Sequence, residues 1–310
     1  MKASSIIFVP KTAGTNLLLN QNNRQLIKTM AVVHVVDKGS TMIQVKKASG
    51  DLEPFSEEKV TRSLLRAGTD TALTDKIVAH VEKELYDGIP THKIYSHIFE
   101  LLKREQSPLS GRYNLKKAIM DLGPTGYPFE KFVAALLQHN GYQVETGVEV
   151  RGHCVAHEID VIAQKDDQRF MVECKFHNQP GTRSDVKVAL YIKARFDDVK
   201  ATFHQAWLVT NTKLTSDAIQ YGECAGMKLI GWSYPSYGSL QDLIEGSGLH
   251  PVTCLTSLSQ NQKQILLSSN IVLCRDVATA KQEILSSLAL SDEQKTEVFA
   301  EIGAICHVNP

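Results

Sequence analysis

Between positions 157 and 177 the chain is apolar at every second place: Ile159, Val161 and Ala163, then Phe170, Val172, Cys174 and Phe176. That period belongs to strands with one buried face. Asp166-Asp167, between the two runs, supplies turn chemistry, so the stretch HEIDVIAQKDDQRFMVECKF predicts a β-hairpin. Folding about that turn sets Asp160 directly opposite Glu173, with Lys175 two residues on along the same face. Two carboxylates and a lysine are thereby gathered on the face that the apolar residues leave to water.

The flanks predict a larger α/β unit. Phe129, Phe132, Val133, Leu136 and Leu137 recur at helical spacing, and Asn140-Gly141 suits a helix end. Tyr142–Val150 reads as a strand. Beyond the hairpin come a polar helical stretch at Val186–Val199, an apolar strand at Ala206–Thr210, a helix capped by Ser216 and running to Met227, and a strand at Lys228–Trp232. Gly123-Pro124-Thr125-Gly126-Tyr127-Pro128 breaks any helix and marks a boundary before this unit; a softer one lies at 234–251.

Ahead of that boundary, MIQVKK and Leu52–Phe55 flank a turn at Ser49-Gly50-Asp51 and read as a short hairpin. Helices follow. Ser56 caps the first, with Val60, Leu64 and Leu65 inward and Gly68 ending it. Thr74 caps the second, with Ile77, Val78, Val81 and Leu85 inward; a third starts at Thr91, and a fourth spans Arg112–Leu122. In the last part, LSQNQKQIL at 258–266 and LSDEQKTEV at 290–298 share one pattern, which predicts two related helical hairpins capped by Ser259 and Ser291.

Composition narrows the classes. At 310 residues the chain exceeds one ordinary domain. Thirty-four basic and thirty-four acidic residues leave it formally neutral, so any nucleic-acid binding must come from a local patch. The six cysteines are scattered with no CxxC pair, which fits reduced thiols in a cytoplasmic protein; no apolar run is long enough to span a membrane. Residues 1–41 are read as a flexible leader, within which Met30 offers an alternative start.

Asp160 with Glu173-Cys174-Lys175, on this helix–strand order, resembles the PD-(D/E)xK nucleases, with Ile159 where the family name has proline. Phe129-Glu130, Gly141-Tyr142 and WLVTNTKLTSDAIQYGECAGMKLIGW make the stretch 125–235 similar to Mrr-type restriction endonucleases. The resemblance implies a restriction-endonuclease core with a mixed sheet and Mg²⁺ held by Asp160 and Glu173. It further implies Lys175 at the reacting phosphate and Glu130 as an acid facing the site. DNA is the implied partner and substrate. Arg183, Lys187, Lys193 and Arg195 fall where a DNA backbone could pass on that fold, although for any one of them a solvated helix face is the favoured reading. His153, His157, Cys174 and His177 have zinc-like spacing, but the hairpin turns the Cys174 thiol toward the buried face.

Residues 42–124 resemble the ATP-cone domain, through Val45-Lys46-Lys47, Gly50, Glu53, Phe55, Lys59 and YDGIPTHKIY at 86–95. The resemblance implies a regulatory ATP or dATP site on Val45, Lys46, Lys47, Gly50, Glu53, Lys59, Thr91 and Tyr95. No GxxxxGK[ST] loop accompanies it, so sensing is expected rather than hydrolysis. The tail at 252–310 is loosely similar to a helix-hairpin-helix module but lacks its glycine hairpin, and a packing role or homo-oligomerisation suits it equally. The expected whole is an α/β multidomain protein: an ATP-binding, Mg²⁺-dependent DNA endonuclease of restriction type. A catalytically silent, nucleotide-responsive DNA-binding regulator and a junction or RNA nuclease on the same fold are the alternatives.

Overall fold

The computed structural model describes residues 42–105 and 107–306; the expected leader at 1–41, with Met30, lies outside them. Described residues begin with strands β1 (Gln44–Lys46) and β2 (Leu52–Pro54), antiparallel about a turn in which Gly50 takes φ +90°. Helix α1 (Glu57–Ala67) starts where the Ser56 side chain accepts from the Lys59 amide and stops at Gly68, φ +98°, a left-handed geometry that suits glycine. Helix α2 (Thr71–Glu82) is capped by Asp70 rather than by Thr74, whose hydroxyl is buried against Thr69 and the Asp70 carbonyl. Strand β3 (Ile89–Pro90) adds parallel to β1 and leads into α3 (Thr91–Glu105).

Val45, Leu64, Ile77, Val81, Ile89, Ile98 and Leu102 close one core between this small sheet and the three helices. Leu65, expected inward, is 47% exposed: its neighbour Leu64 takes the core direction, and adjacent positions on a helix diverge by about 100°. The expected fourth helix is two short ones, α4 (Ser107–Tyr113) and α5 (Leu115–Met120), separated at Asn114. Leu115, Ala118, Ile119 and Leu122 belong to the core of the following unit.

That unit opens with α6 (Tyr127–His139), with Pro128 in its first turn and Phe129 and Phe132 fully buried. Each such side chain contributes about 2 to 3 kcal/mol by leaving water. Strands β4 (Gln143–Arg151), β5 (Ala156–Lys165) and β6 (Gln168–Lys175) then run antiparallel. Strand β7 (Arg183–Ser184) and helix α7 (Val186–Val199) cross over to β8 (Gln205–Thr210), parallel to β6. Strand β9 (Lys213–Leu214) pairs with β7; α8 (Ser216–Cys224) crosses to β10 (Lys228–Ile230), parallel to β8. The large sheet has the order β10-β8-β6-β5-β4, mixed as expected. Helix α8 is capped by Thr215, one residue before the expected Ser216, because the Thr215 hydroxyl accepts from the Ala218 amide.

The β5–β6 register matches the reading from sequence, with Val161 opposite Val172, Ala163 opposite Phe170, and Asp166 at φ +53° in the turn. One expectation fails. The face carrying Asp160 and Glu173 is not left to water along its length, because α7 and α8 lie on it and bury Ile162, Met171, Leu208 and Leu229 with Ile192 and Ala218. Parallel strands need helical crossovers, and those helices cover the faces. Ile159 packs in that second core too, although it shares parity with Val161, which packs in the first. Val144 and Val148 part in the same way on β4; between them Gly147 takes φ +62°. The sheet therefore departs from simple alternation at Asp160, in the middle of β5.

Helix α9 (Leu240–Ser247), a 3₁₀ turn at Val252–Cys254 and helices α10 (Gln260–Ser268), α11 (Cys274–Val277), α12 (Gln282–Ser287) and α13 (Asp292–Cys306) complete the chain. Their apolar residues, from Leu240 to Ile305, join the same core as Phe129, Val161 and Trp207. The repeated LSxxQK pattern is a repeated cap. The Gln262 side chain accepts from the Ser259 amide while the Ser259 hydroxyl accepts from the Gln262 amide, and Ser291 and Gln294 do the same. Asn270 takes φ +61° just beyond α10, a left-handed geometry that asparagine tolerates.

Candidate functional site

Asp160 sits in β5 with its Oδ2 accepting from the Cys174 amide at 2.7 Å, which ties the first acid to the strand bearing the other two residues. Glu173, in β6, is 5% exposed. Its Oε2 accepts from the Arg195 guanidinium, whose other arm donates to the Glu158 carbonyl. Its Oε1 is buried and has no hydrogen-bond partner. Lys175, two residues on, is exposed. Glu130 comes from the first turn of α6, with Oε1 packed close to Gly126.

The electrostatics join these residues into one cluster. Burial, with Asp160 adding repulsion, pushes Glu173 up to about 8, while Arg195 pulls the other way. Burial and the charges of Asp160 and Glu158 push Glu130 up to about 7. Asp160 is itself raised by burial, against the Cys174 amide that favours its charged form. Three acids whose ionisation is suppressed by lost solvent and by one another make a site that a cation would relieve. The chemistry of the donor set, carboxylates with a free buried oxygen, fits a hard divalent ion such as Mg²⁺. Lys175 leaves a positive charge at the open edge.

Arg195 is thus not on a solvated helix face. Lys193 pairs with Asp197 on its own helix, Arg183 lies 4.0 Å from Asp51, and Lys187 is exposed. The zinc-like set is dispersed. His157 bonds Asp198 at 2.8 Å, His177 bonds the Ser184 hydroxyl at 2.9 Å, and the Cys174 thiol is held protonated by burial. Asp198 was missed in the sequence reading. It accepts from the Cys154 and Val155 amides as well as from His157, which holds its carboxyl well below the usual range and fixes the β4–β5 loop. A signal existed: an acid in the last turn of α7 opposes the helix dipole, so its presence points to a tertiary partner.

In the small N-terminal unit, Lys47 and Lys59 both hold Glu53 Oε1, at 2.5 and 2.9 Å, and together lower the Glu53 carboxyl. These three line a cavity of about 380 Å³ with Val45, Thr91 and Tyr95. Lys46 and Gly50 do not line it: strand alternation sends Lys46 outward, and its carbonyl accepts from the Thr91 hydroxyl at 3.3 Å. Tyr95 stacks on Tyr113 at 4.9 Å and donates to the Tyr113 carbonyl. Arg66, Arg112 and Lys116 add basic groups, and Trp232, Gln241 and Glu245 close the far wall. The same segment bonds Arg66, which lies 3.4 Å from both Asp242 and Glu245.

The family described as ATP cone domain matches residues 43–109, that described as Restriction endonuclease matches 124–232, and that described as AF1548-like, C-terminal, matches 250–306. An uncharacterised protein of Archaeoglobus fulgidus is 44% identical over 170 residues, covering 54% of this chain and 97% of that protein. A crystal structure titled as a protein of unknown function, AF1548, is 40% identical with a TM-score of 0.51, covering 59% of this chain and 98% of that one. Can2 from Sulfobacillus thermosulfidooxidans, in complex with cyclic tetra-adenylate, is 12% identical with a TM-score of 0.29, covering 58% of this chain and 60% of that one. No helix among the described residues is long and apolar enough to cross a membrane. The chain belongs to the AF1548-like family, with a restriction-endonuclease domain preceded by an ATP cone.

Proposed function

We propose that this protein is a divalent-metal-dependent DNA endonuclease of restriction type whose activity is set by ATP or dATP in the cone cavity. The observation that carries the reading is the unpartnered, buried Glu173 Oε1 beside Asp160 and Glu130, on the strand that brings Lys175 to the open edge. Asp160 and Glu173 would hold Mg²⁺. Bound there, the ion supplies the charge that draws electron density from the scissile phosphate. Lys175 steadies the charge developing on that phosphate, and Glu130, with a carboxyl poised near neutrality, takes a proton from the attacking water.

Regulation has a physical route. Lys47 lines the cavity and begins the β1–β2 turn, and that turn lies on the loop after Lys175. A Cβ at Gly181 would stand 3.2 Å from the Ala48 backbone, and Asp51 is 4.0 Å from Arg183. A triphosphate competing for Lys47 and Lys59 would release Glu53 and shift this turn.

Arg195 favours a second reading, the silent regulator, since its guanidinium already neutralises one oxygen of Glu173. Incubating plasmid DNA, methylated and unmethylated, and RNA with Mg²⁺, with and without ATP or dATP, separates the readings. Nicking that needs Mg²⁺ and changes with nucleotide supports the endonuclease; DNA binding without any cleavage supports the regulator; cleavage of RNA alone moves the substrate.

A further inference from the structure

His80, Glu84 and His97 stand apart from both sites, on the outer side of the cone. His80 lies in the last turn of α2, Glu84 two residues past its end, and His97 in the middle of α3. His97 Nδ1 is 3.3 Å from Glu84 Oε2, His80 Nε2 is 3.7 Å from Glu84 Oε1, and one donor atom from each residue lies within 4.8 Å of the other two. The two imidazoles stack nearly parallel with centroids 5.1 Å apart, so a rotation of the exposed His80 ring would bring both lone pairs onto one ion. Tetrahedral zinc with bonds of about 2.0 to 2.2 Å requires donors roughly 3.3 to 3.6 Å apart. The two carboxylate–imidazole separations already lie near that spacing.

We propose that His80, Glu84 and His97 form a binding site for a zinc-class transition-metal ion that clamps α2 to α3. Two imidazoles and one carboxylate suit Zn²⁺, Co²⁺ or Ni²⁺; Mg²⁺ and Ca²⁺ favour all-oxygen sets. Three protein ligands leave a fourth position for water. His97 Nε2 is buried without a hydrogen-bond partner, so the polar contacts of this ring all lie at its Glu84 end. The adjoining face of α3 carries Thr91, Ile94, Tyr95 and Ile98 to the nucleotide cavity. An ion at His97 therefore braces the helix that frames that cavity, and it does so whether or not the other domain cuts nucleic acid.

The test titrates the full chain with Zn²⁺, and with Co²⁺ followed by its visible absorption, in an Asp160→Ala background that removes the acidic site's contribution. One equivalent bound with micromolar affinity is expected, with a tetrahedral Co²⁺ spectrum and a higher thermal midpoint. All three are lost in His80→Ala, whose exposed side chain makes misfolding no excuse, and in Glu84→Gln. Binding that survives both variants, or no Zn²⁺ retained in the micromolar range by the parent protein, overturns the site.

Discussion

Arg195 reaches from α7 to the buried carboxylate of Glu173 and, with its second arm, to the carbonyl of Glu158, so one guanidinium joins the two strands that carry the acidic cluster. Removing Arg195 leaves the buried Glu173 carboxyl and the Glu158 carbonyl without their donor, in a site whose burial already favours the protonated acid. Arg195→Ala should lower stability by about 1 to 3 kcal/mol. Arg195→Met with Glu173→Gln should recover most of that. Urea denaturation of the two singles and the double measures it as a cycle; additive losses would show that the pair is not a unit.

Asp160→Ala and Lys175→Ala should each reduce Mg²⁺-dependent cleavage by at least about a hundredfold. Circular dichroism should be unchanged for Lys175→Ala, because that side chain is exposed. Asp160→Ala removes an acceptor for the Cys174 amide, so its melting midpoint should fall somewhat as well. Band-shift titration should show DNA affinity retained or raised in Asp160→Ala, since one charge repelling phosphate is gone. Cleavage at the parent rate by either variant removes the assigned roles.

Nucleotide binding and its transmission should separate genetically. Lys59→Ala should weaken ATP affinity in calorimetry by about tenfold, the scale of one charge-assisted hydrogen bond. Gly181→Val should leave that affinity within a factor of about two while abolishing the effect of ATP on cleavage. At φ +88° and 3.2 Å from the Ala48 backbone, a side chain forces the cone turn off the loop. An intact ATP response in Gly181→Val would mean that the signal travels by the Arg66–Asp242 side instead.

His250 is 5% exposed, and burial holds its imidazole down to about 4. The unfolded chain takes up that proton near the ordinary value of about 6.5. Stability from this group is therefore complete above pH 6.5 and is lost as pH falls toward 4, by about 3 kcal/mol in all. Denaturation midpoints of His250→Gln should fall less steeply over this window than those of the parent protein. Parallel profiles would remove His250 as the cause.

The local rules that made the sequence readable were period and punctuation. Alternation gave the β5–β6 hairpin and its register, because a slip of one residue would have turned Val161 and Val172 outward. Ser56 with Gly68, and Ser259 with Gln262, mark helix ends through bonds that reach only a few residues along the chain. The hairpin that carries Asp160, Glu173 and Lys175 was legible for the same reason.

What the chain could not declare locally depended on distant elements. Whether the face of Glu173 was wet was decided by α7 and α8, which the parallel pairing of β6, β8 and β10 lays across it. Arg195 read as a DNA-facing or solvated helix charge and Asp198 went unread, whereas packing turns one onto Glu173 and the other under the Cys154 loop. The far wall of the cone cavity comes from Trp232, Gln241 and Glu245, more than a hundred residues from Lys47 in the chain. Sequence alone thus determined the hairpin and the helix ends that place the candidate residues, because hydrogen bonds and side-chain period act over a few residues. Tertiary structure decided their solvation and partners, because burial and charge act through space.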